Sequence, residues 1–359
     1  MRFTVFSDLH LHEWSYGSTL THGKNSRLEQ QKEVVKAIVR YNRENDIDLT
    51  FFCGDLFHSH TVTAPVSQAA WESFHEFKRA GQTLKLSVGN HDQMDRRGEI
   101  HALEFFRSLG TVYDIGILGG NPTELLHESI LRGTERFAFT CLPYTESKEQ
   151  LEAWLSKVNE GCLFLHQGVG GVEVNSKGFT LNEILTPEMI NPNVSMAFAG
   201  HYHSFNQVSY NLMIPGSTMQ LNWGDQGEPR GWLDVTADKG QVTDVRLIQS
   251  PASRFVTVNE DNLALADDIV GNFVRVVSKG NYSPEELSSA IMGRGAASCE
   301  VKVIRGENKP VTVKPQNMAS FNEVVYSFGA AKEALGVIDE YDRAIGDRLL
   351  KENYSVPEV

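Results

Sequence analysis

Short apolar or alternating runs recur at residues 2–7, 48–53, 84–88, 136–141, 161–165 and 194–199. Each is too short for a helix of ordinary length and reads as a buried strand. Between the first three of these runs the spacing changes. Leu28, Val34, Val35, Ile38 and Tyr41 fall near a helical period within residues 27–42, and Ala70, Phe74 and Phe77 do so within residues 66–79. Strand alternating with helix predicts an α/β layered domain.

After residue 200 the texture becomes short β-prone runs separated by turn signals, as in residues 231–236 and 241–248, which are expected to complete the sheets of the first domain. A new pattern begins near Pro251: strand-like residues 254–258 and 273–277, a helix opening at Ser283-Pro284-Glu285-Glu286, and strand-like residues 299–304. Ser283 reads as the N-cap and Pro284 as the first helical residue, where a missing N–H costs nothing. The expected division is therefore 1–252 for a large domain, 253–318 for a smaller one, and 319–359 for a C-terminal helical segment. In that segment Leu335, Ile338, Tyr341, Ile345 and Leu349 form one apolar face, which either packs on its own domain or docks on a partner.

The chain's 359 residues exceed what one core of ordinary size organises, in keeping with that division. Hydrophobic residues make up 41% and charged residues 22%, which excludes extensive disorder. No run approaches the roughly 20 apolar residues of a membrane span, and the N-terminus lacks a secretory pattern. Cys53, Cys141, Cys162 and Cys299 form no Cys-x-x-Cys pair, so neither a disulfide framework nor a thiolate zinc site is expected. A cytoplasmic protein with no membrane partner fits these features. The net charge of −13 opposes a surface that grips nucleic acid by bulk electrostatics, unless metal ions or a partner chain supply the positive field.

Five polar segments each follow an apolar strand, where ligand sites of α/β folds gather. They are Asp8-Leu9-His10, Gly54-Asp55, Gly89-Asn90-His91-Asp92, His166, and Gly200-His201-Tyr202-His203. Taken singly, Asp-x-His is most simply a turn and Gly-Asp is uninformative. The ordered set is what points to a site. Mixed carboxylates and imidazoles suit Mn²⁺, Fe²⁺ or Zn²⁺ better than Ca²⁺ or Mg²⁺, and two divalent ions account for all the donors. Asp8 and His10 alternate around Leu9, as His201 and His203 do around Tyr202, so each pair can face one side. Glycines 54, 89 and 200 would let the backbone turn beside the ions.

In this order the five segments resemble the calcineurin-like metallophosphoesterase superfamily. Within it, Gly54-Asp55-Leu56-Phe57-His58, His166-Gln167-Gly168 and Pro215-Gly216-Ser217 resemble the SbcD and Mre-type double-strand-break repair nucleases, including bacteriophage recombination endonuclease subunits. The resemblance covers residues 1 to about 250. It implies a four-layered β-sandwich flanked by helices, followed by a small α/β capping domain and a C-terminal helix. It places Asp8, His10, Asp55 and His203 on one ion and Asp55, Asn90, His166 and His201 on the other, with Asp55 shared and Mn²⁺ preferred. It further implies a homodimer that acts on DNA with an SMC-like, SbcC-type ATPase.

His91 follows a ligand and is assigned to phosphate stabilisation or leaving-group protonation, with Asp92 to orient it. The resemblance implies a catalytic or substrate-positioning role for His58; a histidine that merely supports Asp55 is equally compatible with the residues. His12 and His60 lie close in sequence to ligands, while Arg96 and Arg97 are candidate phosphate contacts. Lys302, Arg305, Lys309 and Lys314 either track a DNA backbone or are simply solvated. The expected function is a Mn²⁺-dependent DNA nuclease of repair and recombination. The alternatives are a hydrolase of small phosphoesters or nucleotides and an inactive DNA-end scaffold.

Overall fold

The computed structural model describes residues 1–95, 100–104, 106, 126–132, 135–172, 183–266 and 268–304. Strand β1 (Arg2–Phe6) leads through the two-residue strands β2 (Leu20–Thr21) and β3 (Lys24–Asn25) to helix α1 (Ser26–Glu44). Strand β4 (Leu49–Phe52), helix α2 (Ala64–Arg79) and strand β5 (Thr83–Leu86) follow. Both helices carry start signals: Asn25 Oδ1 accepts from the amides of Arg27 and Leu28, and α2 has a proline in its first turn.

The second half of the large domain contributes β6 (Leu126–Arg132), β7 (Glu135–Leu142), the helix Lys148–Leu155, β8 (Cys162–His166), β9 (Met196–Gly200), β10 (Asn206–Ser209), β11 (Leu212–Ile214), β12 (Gly231–Asp238) and β13 (Gln241–Gln249). Five strands form one sheet in the order β13-β12-β1-β4-β5 and six form another in the order β10-β11-β9-β8-β7-β6. Strands β1, β4 and β5 run parallel, as do β7, β8, β9 and β11.

Side-chain alternation along the strands produces the layers. Phe3, Val5 and Phe51 of the first sheet meet Phe139, Phe164 and Phe198 of the second in one core, where Phe51 and Phe164 stack at 3.7 Å. Phe6 and Phe52, one position out of phase, face α1 and α2 instead. On the far side Leu163 and Leu165 pack against Leu151 and Trp154 of the helix Lys148–Leu155. The result is helix, sheet, sheet, helix: the four layers expected.

A third, all-parallel sheet contains β14 (Phe255–Asn259), β15 (Phe273–Ser278) and β16 (Ser298–Val303), with the helix Pro284–Gly293 covering it. That helix starts as its sequence indicates, with Ser283 and Glu286 in a reciprocal capping box. Arg96, Arg97, Arg305, Lys309, Lys314 and the apolar face from Leu335 to Leu349 lie outside the described residues. No described helix is long and apolar enough to cross a membrane. All four cysteines are free, and three of them are buried.

Candidate metal centre

The predicted ligands emerge from the carboxyl ends of β1, β4, β5, β8 and β9, and the two facing sheets bring those ends to one rim. The loop after β1 runs beside the loop after β4, with the amides of Asp8 and His10 donating to the carbonyls of Gly54 and Asp55 at 3.0 and 3.1 Å. Asp8, His10, Asp55 and His201 all have positive φ, and they are four of the seven such non-glycine residues among those described. Left-handed backbone is uncommon outside glycine, is borne best by residues such as Asp and His, and concentrates where a site demands it. Leu9 is fully buried between Asp8 and His10, as expected, but the left-handed bends, rather than simple strand alternation, turn both polar side chains to one side.

Asp55 sits at the centre. Its Oδ2 lies 3.3 Å from His166 Nε2 and 3.6 Å from His10 Nε2, while its Oδ1 accepts from the His91 amide at 2.9 Å. Around His10, Asp8 Oδ1 is at 3.7 Å and His203 Nε2 at 3.1 Å. On the other side Asn90 Oδ1 lies 3.0 Å from His166 Nε2 and 2.9 Å from His201 Nδ1. All seven residues expected to hold metal are therefore brought together at this rim.

These residues suit divalent cations. Asp8 Oδ1 and His10 Nδ1 are buried without a hydrogen-bonding partner. The sets Asp8, His10, His203 and Asp8, Asp55, His166 each place their donor atoms within 4.8 Å of one another. His166 Nδ1 donates to the Cys53 carbonyl at 2.7 Å, which fixes the ring and aims Nε2 at Asp55 and Asn90. The glycines serve close approach as much as turning. A Cβ on Gly54 would meet the His166 ring at 2.5 Å, and one on Gly200 would meet Ser7 Oγ at 2.3 Å.

The electrostatics are those of anions held by imidazoles. Burial pushes the Asp8 and Asp55 carboxyls up, but the surrounding histidines outweigh it and hold both below the ordinary range. Burial opposes charge on His166 too, yet Asp55 raises its pKa to about 9. His10 is raised in the same way, with Asp8 and Asp55 overcoming its burial. His201 and His58 go the other way, to about 4, because burial dominates and neighbouring imidazoles add to it.

Asp92 departs from the expected role. It is fully buried, and its carboxylate accepts from the amides of Asp55, Gly89 and Phe57 at 3.0, 2.9 and 3.0 Å, not from His91. It staples the Gly54-Asp55 loop to the turn carrying Asn90, and burial together with the Asp55 charge raises its pKa to about 7. His91 is oriented instead by the His58 carbonyl, to which its Nδ1 donates at 2.8 Å. The His58 ring lies nearly parallel to the His91 ring, with centroids 5.5 Å apart. His12 reaches the same cluster, 5.0 Å from His58, and His60 hydrogen-bonds the Gln93 carbonyl while stacking on His91 at 6.3 Å.

Three contributors carried no motif. Gln31 of α1 donates to the carbonyls of Leu9 and His10 at 2.8 and 2.6 Å and accepts from the His12 amide, clamping the left-handed loop. Tyr144 stacks on His201 with centroids 6.0 Å apart. Glu183 Oε1 lies 4.0 Å from His201 Nε2, and its side chain occupies the space that a Cβ on Gly168 would need. Only the polar position 31 inside an otherwise amphipathic helix gave a signal, since a buried glutamine on the apolar face needs partners.

The calcineurin-like phosphoesterase family matches residues 1–205. The DNA double-strand break repair protein Mre11 of Methanopyrus kandleri is 23% identical over 331 residues, covering 84% of this chain and 70% of that protein. One subunit of the nuclease SbcCD of Bacillus subtilis is 26% identical over 162 residues, 45% of this chain and 39% of that protein. A putative phosphoesterase of Invertebrate iridescent virus 6 is 21% identical over 251 residues, 66% of this chain and 83% of that protein. Among solved structures, a dimetal phosphatase from Danio rerio aligns with 12% identity and a TM-score of 0.41, covering 70% of this chain and 99% of that one. The family match spans more than half of the sequence and includes all seven residues expected to hold metal, and the chain belongs to the calcineurin-like phosphoesterase family.

Proposed function

We propose that this protein is a two-metal nuclease that hydrolyses phosphodiester bonds in DNA, with Mn²⁺ as its preferred ion. The observation that carries the reading is the pair of histidines beside the metal ligands. His58 and His91 lie ring to ring next to His10 and are not among the seven residues expected to hold metal, which leaves them to meet a substrate phosphate. Similarity to Mre11 and to the SbcCD nuclease supports it.

Asp8, His10, Asp55 and His203 would hold one ion, and Asp55, Asn90, His166 and His201 the other. When bound, such a pair of ions neutralises charge on a phosphoryl group and makes water a better nucleophile at neutral pH. The chain's own residues do the rest. His91, its Nδ1 committed to the His58 carbonyl, keeps Nε2 for a phosphoryl oxygen or for the departing oxygen. His58 adds a ring that positions the substrate against His91. Asp92 keeps the two central loops in register, so that Asp55 and Asn90 present their oxygens together.

The third sheet is read as the start of a capping domain spanning 253–318, with residues 319–359 available to bind an SMC-like ATPase. A homodimer, a role in DNA repair and recombination, and a cytoplasmic location complete the proposal. With a net charge of −13 the chain alone should hold DNA weakly, and the ATPase should tighten binding. The deciding experiment compares Mn²⁺-loaded protein on duplex DNA and on small nitrophenyl phosphate esters. Cleavage of DNA supports the nuclease; good turnover of the esters with none of DNA makes the protein a small-phosphoester hydrolase instead.

A further inference from the structure

A buried cation joins the rim of the metal centre to the third sheet. Arg27, in the first turn of α1, is 1% exposed. Its guanidinium carbon lies 4.8 Å from the Tyr16 ring, 5.0 Å from Trp14, 5.1 Å from Phe273 and 5.5 Å from Phe255. Two of these rings belong to the loop that follows His10 and His12, and the other two open β14 and β15 of the third sheet. Arg27 Nη2 donates to the Leu221 carbonyl at 3.0 Å, while Nε and Nη1 have no hydrogen-bonding partner. Aromatic faces supply much of the negative potential that a buried guanidinium needs.

The box touches the active site through one ring. Trp14 packs against His58 with centroids 4.5 Å apart, and His12 lies beside both. His58 Nδ1 is buried without a hydrogen-bonding partner, and so is Trp14 Nε1. No hydrogen bond from either atom fixes its ring, so the orientation of both is set by the surfaces they lean on. For Trp14 those surfaces include the Arg27 guanidinium, and Arg27 is in turn enclosed by Phe255 and Phe273.

We propose that Arg27 is a positioning residue: acting through Trp14 it fixes the His58 ring, so that the seating of the third sheet tunes how the active site holds its substrate. The proposal rests on His58 acting on substrate, as argued above. If the box only glued the sheet in place, its disruption would lower stability and leave the His58 ring as it was.

A double-substitution cycle on Mn²⁺-loaded full-length protein tests this. Phe255→Leu removes one wall of the box and keeps the cation, so it serves even if Arg27→Leu does not fold. Because a displacement near 1 Å in an active site is costly, DNA turnover should fall by about tenfold or more in each single variant. In a His58→Ala background neither change should cost anything further. Equal losses in both backgrounds, or no loss in either, overturn the proposal. A second readout is independent of activity. In metal-free protein the His58 ring Cε1–H nuclear magnetic resonance signal should shift or broaden in Phe255→Leu while that of His75 stays put; an unmoved His58 signal also overturns it. Wild-type protein that hydrolyses small esters but not DNA would defeat the nuclease reading, and the resonance arm would still decide the coupling.

Discussion

Replacing Gly89 by alanine tests whether the central carboxylate is held as tightly as the geometry indicates. Gly89 does not have positive φ, so alanine is not forced into left-handed backbone there. The obstacle is space, because its Cβ would lie 2.1 Å from Asp55 Oδ1 and 2.3 Å from the Asp55 amide nitrogen. Ordinary contact begins at 3.4 Å, so 3.4 − 2.1 leaves about 1.3 Å of movement to be found. The carboxylate oxygen can rotate away; the amide nitrogen cannot, because Asp92 holds it together with the Gly89 amide on one oxygen. Overpacking of this kind costs about 1–3 kcal/mol of stability. The displaced carboxylate should weaken Mn²⁺ binding on the order of 10–100-fold, and ester turnover should fall about a hundredfold for a 1 Å misplacement. Calorimetric titration of Mn²⁺, denaturant unfolding and an ester assay read the three effects. Gly293→Ala is the control: nothing lies within 4 Å of its Cβ, and it should gain up to about 1 kcal/mol with Mn²⁺ affinity intact. A Gly89→Ala protein that binds Mn²⁺ and turns over ester like wild type would refute the close-approach reasoning.

Metal affinity should depend on pH through His166. Its pKa in the metal-free fold is about 9 against an ordinary 6.5, so a cation at Nε2 must displace a proton and affinity should climb with rising pH up to about 9 before levelling. By the same sign, the protonated pair with Asp55 stabilises the metal-free fold fully below pH 6.5 and loses that contribution as pH passes about 9. A flat affinity across that range, measured by titration in buffers of different ionisation enthalpy, would contradict the assignment. Gln31→Leu strands two buried carbonyls and one amide, which predicts a loss of about 2–4 kcal/mol in denaturant unfolding and weaker Mn²⁺ binding. Asp92→Asn turns a donor towards a buried amide and should cost about 1.5–3 kcal/mol in stability. If Asp92 served His91 instead, only turnover would fall and stability would stay unchanged.

The layers were legible from the chain because the central strands are buried on both faces, which leaves short, mainly apolar runs such as Leu49–Phe52 and Cys162–His166. The exposed edge strand β10, Asn206–Ser209, gave no such signal because polar side chains cover it. The candidate metal ligands were legible for a different reason. Each needs a carboxylate, amide or imidazole just after a parallel strand, so their order survives in one dimension.

What sequence alone determined, then, is a partial inventory: most of the buried central strands, roughly where each ends, and which polar donors stand at those ends. Tertiary structure decided the partnerships, because hydrogen bonds and ring contacts join residues with no fixed separation along the chain. Asp92 lies next to His91 in sequence yet spends its oxygens on three amides, while the His58 carbonyl, 33 positions earlier, holds the His91 ring. Arg27 is an unremarked basic residue at the start of a helix until β14 and β15, more than two hundred positions away, enclose it in aromatic rings. A buried charge must find its compensation wherever the fold supplies it, and that location is a property of three dimensions.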